Sequence, residues 1–294
     1  MKCLCYTGFN TRVGVMVVDR FLFDKFVFEM DDEMYDNSCI AFAKMASNIV
    51  RHPNTNKVTF NYYPHDPGKL QFIVEGTMED NNVQIGDVKI HHTSEDVWKV
   101  KIVAPIPECE GSFIATRPDG NGLIAIRFVN EPVLEHIEEG DLIEAQVVAL
   151  ALDVHIYQDE AAYADSASAK EDGEKFLMAD GLVLATDFLV NNSATLNEEE
   201  RQARDHRFDH LVDVRGTITM CYKYPLHMFG TDLNSYYLAN IATDFGPVKV
   251  IISQPMFPKG LDGFGAGNVI VAKVMLSGDV CIYDYDKYAS PLNT

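Results

Sequence analysis

Positive charge is what this chain has least of. It carries 24 Lys and Arg against 44 Asp and Glu, for a formal net charge of −20 and a pI near 4.7. Binding a phosphate backbone would therefore need a local basic groove that the chain as a whole opposes. The deficit is uneven: residues 1–110 hold 11 basic and 16 acidic residues, 111–192 hold 4 and 16, and 193–294 hold 9 and 12. The middle third carries most of the self-repulsion. Long apolar runs are also missing. No stretch of 18 consecutive apolar residues occurs, which leaves no candidate for a helical membrane span. The opening segment is interrupted by Asn10, Arg12, Asp19 and Arg20, so a secretory leader is not expected and the reading is cytoplasmic. The six cysteines, Cys3, Cys5, Cys39, Cys109, Cys221 and Cys281, form no Cys-x-x-Cys pair, and reduced, buried thiols are expected. Gly-x-Ser-x-Gly, Walker A and zinc-finger spacings are absent, which lowers the prior for an enzyme. No catalytic residue and no cofactor is assigned.

What is there is a chain that nearly repeats itself. Apolar residues make up 47% of its 294 residues, enough for two packed domains or three small ones. Gly140-Asp141-Leu142-Ile143-x-Ala145-x-Val147-Val148 returns as Gly267-Asn268-Val269-Ile270-x-Ala272-x-Val274-Met275. After a one-residue gap, Asp153-Val154-x-Ile156-Tyr157 matches Asp279-Val280-x-Ile282-Tyr283. Upstream, Ile114-Ala115-Thr116 then Gly122 matches Ile241-Ala242-Thr243 then Gly246. Two copies of one all-β module follow from this self-similarity.

Four regions are expected. Residues 1–70 read as a small α/β domain, with strands at 13–18 and 21–28, a helix capped at Asp36, Asn37 or Ser38 and stopped by Pro53, and a strand at 57–63. Module A spans 71–163. It opens with a strand at 70–78, because Val74-x-Gly76-Thr77 resembles Val214-x-Gly216-Thr217, and continues at 112–117, 122–130, 141–150 and 153–157, with a hairpin or loop inserted at 79–98. A solvated, mobile, acidic stretch is expected at 158–175, and residues 164–212 form the connection between the modules. They include a strand at 181–189 and an exposed helix opened by the capping box Thr195-x-x-Glu198. Module B spans 213–294, with strands at 212–224, 236–243, 247–253, 268–276 and 279–283. The class is mainly β, α+β overall. Five short strands with a long loop between the third and fourth resemble the OB-fold, a partly open Greek-key barrel. The resemblance covers about two-thirds of the chain and rests on strand count and loop order alone.

Each candidate chemistry has a plainer alternative. His206 and His210, at i,i+4 on the predicted helix, could face one metal ion, yet Arg204 and Arg207 are interleaved with them, and a charged surface helix is the favoured reading. His91 and His92 are strand neighbours that point to opposite faces. The glycine-rich 263–267 loop leads into a strand, whereas a dinucleotide fingerprint needs a helix there. Asp153 and Asp279, with Tyr157 and Tyr283, could suggest acid/base work, but an Asp at a strand entry more often accepts local backbone N–H groups.

The OB resemblance implies a single-stranded nucleic-acid surface on strands two and three. Module B would supply Tyr222, Lys223, Tyr236, Tyr237 and Lys249 as its ligand-binding residues, with Arg215 and Phe245 nearby. Core packing is the plainer reading for the aromatics. By elimination, the expected function is a non-catalytic cytoplasmic binding protein whose acidic, duplicated barrels recognise a basic or neutral protein partner. Single-stranded nucleic acid is the alternative and metal-dependent hydrolysis ranks last. No membrane association is expected, and a homodimer through unpaired strand edges fits the pattern.

Overall fold

The computed structural model describes residues 5–6, 23, 32–52, 55–64, 69–79, 82–106, 111–129, 134, 136–172, 181–184, 211–228, 231–256 and 264–282. The protein is mainly β, with two sheets and few helices. The first sheet has five strands in the order β1 (Cys5–Tyr6), β5 (Asn82–His92), β4 (Leu70–Glu79), β3 (Lys57–Tyr62) and β2 (Asn48–Arg51). Helix α1 (Asp32–Met45) packs on it through Tyr35, Cys39, Phe42 and Ala43. The rings of Phe42 and Phe72 stack at a centroid distance of 5.0 Å, and Phe23 meets both edge-on. Among the described residues no helix is long and apolar enough to cross a membrane.

The second sheet holds the repeat. One unit is β6 (Val97–Pro105), β7 (Ser112–Thr116), β8 (Ile124–Phe128) and β9 (Leu142–Tyr157); the other is β11 (Leu211–Met228), β12 (Thr231–Thr243), β13 (Gly246–Ser253) and β14 (Val269–Ile282). The short β10 (Gly181–Leu184) pairs with β11. In each unit three strands meander and the fourth returns to pair with the first: β6 with β9, β11 with β14. The long fourth strands also pair with each other, antiparallel, from Val269–Tyr157 to Ile282–Glu144. Their remaining edges cross over between units, β9 to β13 and β14 to β8, both parallel. The two copies are thus laced into one sheet.

Alternation explains where the core sits. On β9, Ile143, Ala145, Val147, Ala149 and Ala151 face one side, as do Ile270, Ala272, Val274 and Leu276 on β14, and all join a single buried cluster with residues of both units. Each fully buried Val, Ile or Leu side chain there contributes about 1.5–3 kcal/mol. The opposite side of the ribbon, through Val148, Leu150 and Met275, packs against the first sheet in a second cluster. Between the units, Trp98 donates from Nε1 to the Pro247 carbonyl at 2.7 Å and its ring lies 5.5 Å from that of Phe245.

Several expectations change. The strand expected at 70–78 to open module A is β4 of the first sheet, and β6 takes its place. The hydrogen bonds show the equivalence. Gly140 donates to the Ile102 carbonyl and Ile102 to the Asp141 carbonyl, each at 2.9 Å, while Gly267 donates to Ile218 and Ile218 to Asn268, each at 2.8 Å. A bulge follows Ile102 on β6 and Ile218 on β11. The expected breaks before Asp153 and Asp279 are absent, because β9 and β14 run on as single strands, the former absorbing one extra residue at Leu152. Among the described residues each unit therefore has four strands rather than five. Helix α1 ends at Met45, and Val50, expected on it, lies on β2. The acidic stretch after Tyr157 folds as helices α2 (Glu160–Ala164) and α3 (Ala167–Asp172). Asp159 caps α2 by accepting from the Ala162 N–H at 2.8 Å, and the buried Tyr163 anchors it. The expected strands at 13–18 and 21–28, apart from Phe23, and the helix bearing His206 and His210 lie outside the described residues.

Candidate functional site

The five residues proposed as a ligand-binding set do not share one face. On β12, Ala239 and Ile241 point into the core of the two units, and Tyr237 lies on that side against Phe264. Tyr236 and Leu238 point the other way. Tyr236 is fully buried in the cluster beneath the first sheet and offers no ring face to a base. The Tyr224 ring lies tilted beside it at 5.6 Å, and Tyr222, 46% exposed, continues the row at 6.3 Å from Tyr224. Lys223 sits opposite Tyr237, with Nζ 5.5 Å from the ring centroid. Lys249 is on the outer face and donates to Asp96 at 3.0 Å and to Ser94 at 3.1 Å. Arg215 is buried, ion-paired to Glu160, its guanidinium 4.4 Å from the Tyr163 ring centroid. Lys249 and Arg215 are each matched by a carboxylate, which leaves Lys223, beside the Tyr237 ring, as the remaining cation of the proposed set.

The other candidates resolve similarly. No group of three or more His, Cys, Asp or Glu among the described residues could hold a metal ion. Asp153 accepts from the Val154 N–H at 2.9 Å, the local backbone role expected of it. The Phe264–Gly267 part of the glycine-rich loop turns directly into β14, with Gly265 N–H donating to Asn268 Oδ1 at 2.7 Å. His91 is buried between the first sheet and the ribbon, its Nδ1 2.8 Å from Ser277 Oγ. Burial and the neighbouring His92 push its pKa down to about 3, so the ring is neutral at ordinary pH. Burial also pushes the Cys221 thiol up to about 11, away from nucleophilic reactivity.

The duplication itself reveals a surface that the sequence reading did not single out. Register makes β6 and the first half of β9 equivalent to β11 and the first half of β14. Lys99 opposes Glu144 as Arg215 opposes Val271, and Lys101 opposes Leu142 as Thr217 opposes Val269. In the second unit this outer face is covered. Glu160 of α2 binds both Arg215 and Thr217, the latter at 3.0 Å, Tyr163 lies over Arg215, and Val269 is 0% exposed.

Among the described residues, the same face of the first unit is exposed.

Leu142, the counterpart of Val269, is 53% exposed, and Val97 and Val103 on β6 are 48% and 37% exposed. No family model, curated protein or solved structure matches this chain. The contrast between the copies is therefore the most direct guide to the site. Scattered exposed apolar residues are ordinary, but three on one strand pair form a patch; the repeat counterparts of Leu142 and Val97, Val269 and Asp213, are buried, while that of Val103, Thr219, is exposed. Lys99, salt-bridged to Glu144 at 3.2 Å, and the exposed Lys101 frame the patch. The sequence signal was available in the alternation Val97-x-Lys99-x-Lys101-x-Val103, once β6 is recognised as the first strand of its unit.

Proposed function

We propose that this chain is a non-catalytic, cytoplasmic binding protein that recognises a protein partner through its duplicated β units, with the outer face of β6 and the first half of β9 as the docking surface. The observation that carries this reading is the contrast between Leu142 and Val269, equivalent residues of which one is 53% exposed and the other 0%. Covering Leu142, Val97 and Val103 would remove apolar area worth on the order of 25 cal/mol per Å² from water, and the lysine and glutamate at its rim would set orientation. The partner expected from net charge alone is basic or neutral. Free thiols at Cys39, Cys221 and Cys281 accord with a reducing compartment.

A second reading, single-stranded nucleic-acid binding by the other unit, has one observation in its favour. Lys223 and Tyr237 place a cation beside an aromatic ring on directly opposed strand residues, an arrangement that can stack a base and meet a phosphate.

Capture from host lysate on immobilised protein, run beside anisotropy of labelled single-stranded DNA and RNA at two salt concentrations, separates the two. The protein-binding reading expects a partner retained by the unaltered chain and lost with Leu142→Asp, and no salt-sensitive oligonucleotide binding. Micromolar oligonucleotide binding that weakens with salt and is lost in Tyr237→Ala, with no Leu142-dependent partner, would replace it.

A further inference from the structure

We propose that the contact between the first sheet and the β9–β14 ribbon is an acid-sensitive joint, which protonation of His91 opens while each sheet keeps its own strands. This is independent of the docking surface proposed above. The chain is laid out for such a separation. Every described strand of the first sheet precedes residue 93 and every described strand of the second follows residue 96, so one connection, 93–96, links them. Among the described residues no strand pairing crosses from one sheet to the other. What crosses is side-chain packing, with Val148, Leu150 and Met275 of the ribbon in the shared cluster, and the His91–Ser277 hydrogen bond. The connection is pinned at its far end, where Lys249 donates to Ser94 and Asp96. Released from the ribbon, the first sheet can therefore swing about residues 93–96 as a body, with no described ladder broken.

His91 sits at the end of β5, beside this hinge. It is fully buried, with Nδ1 2.8 Å from Ser277 Oγ and no hydrogen-bond partner at Nε2 among the described residues. A neutral ring suits the place. An imidazolium would be a buried charge, which is costly without a carboxylate beside it. On β5, Lys89 shares the face of His91 and is taken up by Glu75 of β4, while His92 adjoins on the opposite face. Gln71 of β4 lies across from His91. On β14, Asp279 is one pleat beyond Ser277, where its charge bears on Tyr63. Arg127 of β8, buried and in parallel register with Ser277, projects from the same side of the ribbon, and Val148 of β9 lies opposite Ser277. Burial and His92, with no described carboxylate to offset them, hold the pKa of His91 down to about 3. Opening returns the ring to water and to about 6.5. The open state thus binds a proton that the closed state refuses. The ratio of open to closed rises about tenfold for each pH unit as pH falls from about 6.5 toward 3.

The test follows Met275 in the full chain. Met275 is buried on the ribbon's face toward the first sheet, two residues before Ser277. Oxidation of a thioether by peroxide requires no ionisation of the sulfur. Its rate, relative to free methionine in the same solution and read by mass mapping, therefore reports the fraction of time the joint is open. Between pH 6.5 and 4.5 this ratio should rise about tenfold per unit. At every pH it should exceed the open fraction given by hydrogen exchange of the β9–β14 amides. His91→Asn should flatten the profile. Ser277→Ala leaves the ring but removes its partner, so it should raise the ratio at every pH and keep the slope, and it carries the test where His91→Asn does not fold. A flat profile in the unaltered chain, an unchanged slope in His91→Asn, or no rise in Ser277→Ala would overturn the proposal. So would Met275 and amide fractions that coincide at every pH, because the joint would then open only by global unfolding.

Discussion

Ala149 lies directly opposite Leu276, and the two are the same position of the repeat when each copy is counted from Gly140 or Gly267. A pseudo-twofold axis therefore passes between β9 and β14, and the two units build one core across it. The first consequence is that equivalent positions should respond alike. Gly140 and Gly267 have φ of 92° and 93°, with nothing within 4 Å of where a Cβ would lie. Substitution by Ala then costs only the strained backbone conformation. Gly140→Ala and Gly267→Ala should each destabilise by about 1–2 kcal/mol. Urea denaturation should give the two values within about 0.5 kcal/mol of each other. A large loss at one site and none at the other would argue against equivalent turns.

The His91–Ser277 hydrogen bond joins the first sheet to the ribbon and predicts a pH dependence. His91 binds a proton with a pKa of about 3 when folded and about 6.5 when unfolded. Over that interval the unfolded chain binds more protons. The stability contributed by the neutral ring is thus complete above about pH 6.5 and declines as pH falls toward 3, by up to about 1.4 kcal/mol per pH unit. His91→Asn removes this slope while keeping a polar group near Ser277. Denaturation midpoints between pH 7 and 4.5 should fall more steeply for the unaltered protein, and parallel curves would show that His91 does not carry the effect.

Tyr163 is the anchor of α2, its ring 5.3 Å from that of Tyr157 as well as over Arg215. Tyr163→Ala should cost about 1–3 kcal/mol through lost packing and lost cation–π contact. It should also make the chain between Gln158 and Asp172 more readily cleaved by protease. Limited proteolysis with mass mapping reads this directly. Unchanged cleavage there would mean that α2 is held by other contacts.

How far the sequence foretells this architecture depends on which residues are asked. The repeat is plain around Gly140 and Gly267, because a positive-φ turn and the strand behind it conserve both glycine and apolar alternation. The first strand is not. Gly76 and Gly216 both sit where a Cβ would press on a neighbour, at 2.9 Å from Val83 and 3.0 Å from Ile241. Each is needed for close approach, but in different sheets, and their shared Val-x-Gly-Thr pattern aligned unrelated strands. Asp153 resembles a turn residue, yet it lies opposite Lys273 within a continuous ladder, beside a bulge that periodicity alone does not locate. The helix after Asp159 was legible as an N-cap before Glu-Ala-Ala-Tyr, but its acidity dominated that reading. The open face was invisible for a physical reason. Val269 is paired on both sides, with Thr217 and Tyr157, while the described partner of Leu142 is Lys101, and no pattern within either strand records those neighbours.

The most direct test of the account compares Leu142→Asp with Val269→Asp, the same substitution at equivalent positions. Leu142→Asp places a carboxylate on an exposed face beside Lys101, and the denaturation midpoint should stay within about 0.5 kcal/mol of the unaltered protein while Leu142-dependent partner capture is lost. Val269→Asp buries an unpaired charge and should unfold the protein or cost about 3–5 kcal/mol. The result that would contradict the account is a Leu142→Asp protein that is as destabilised as Val269→Asp, or one that retains every partner the unaltered chain holds.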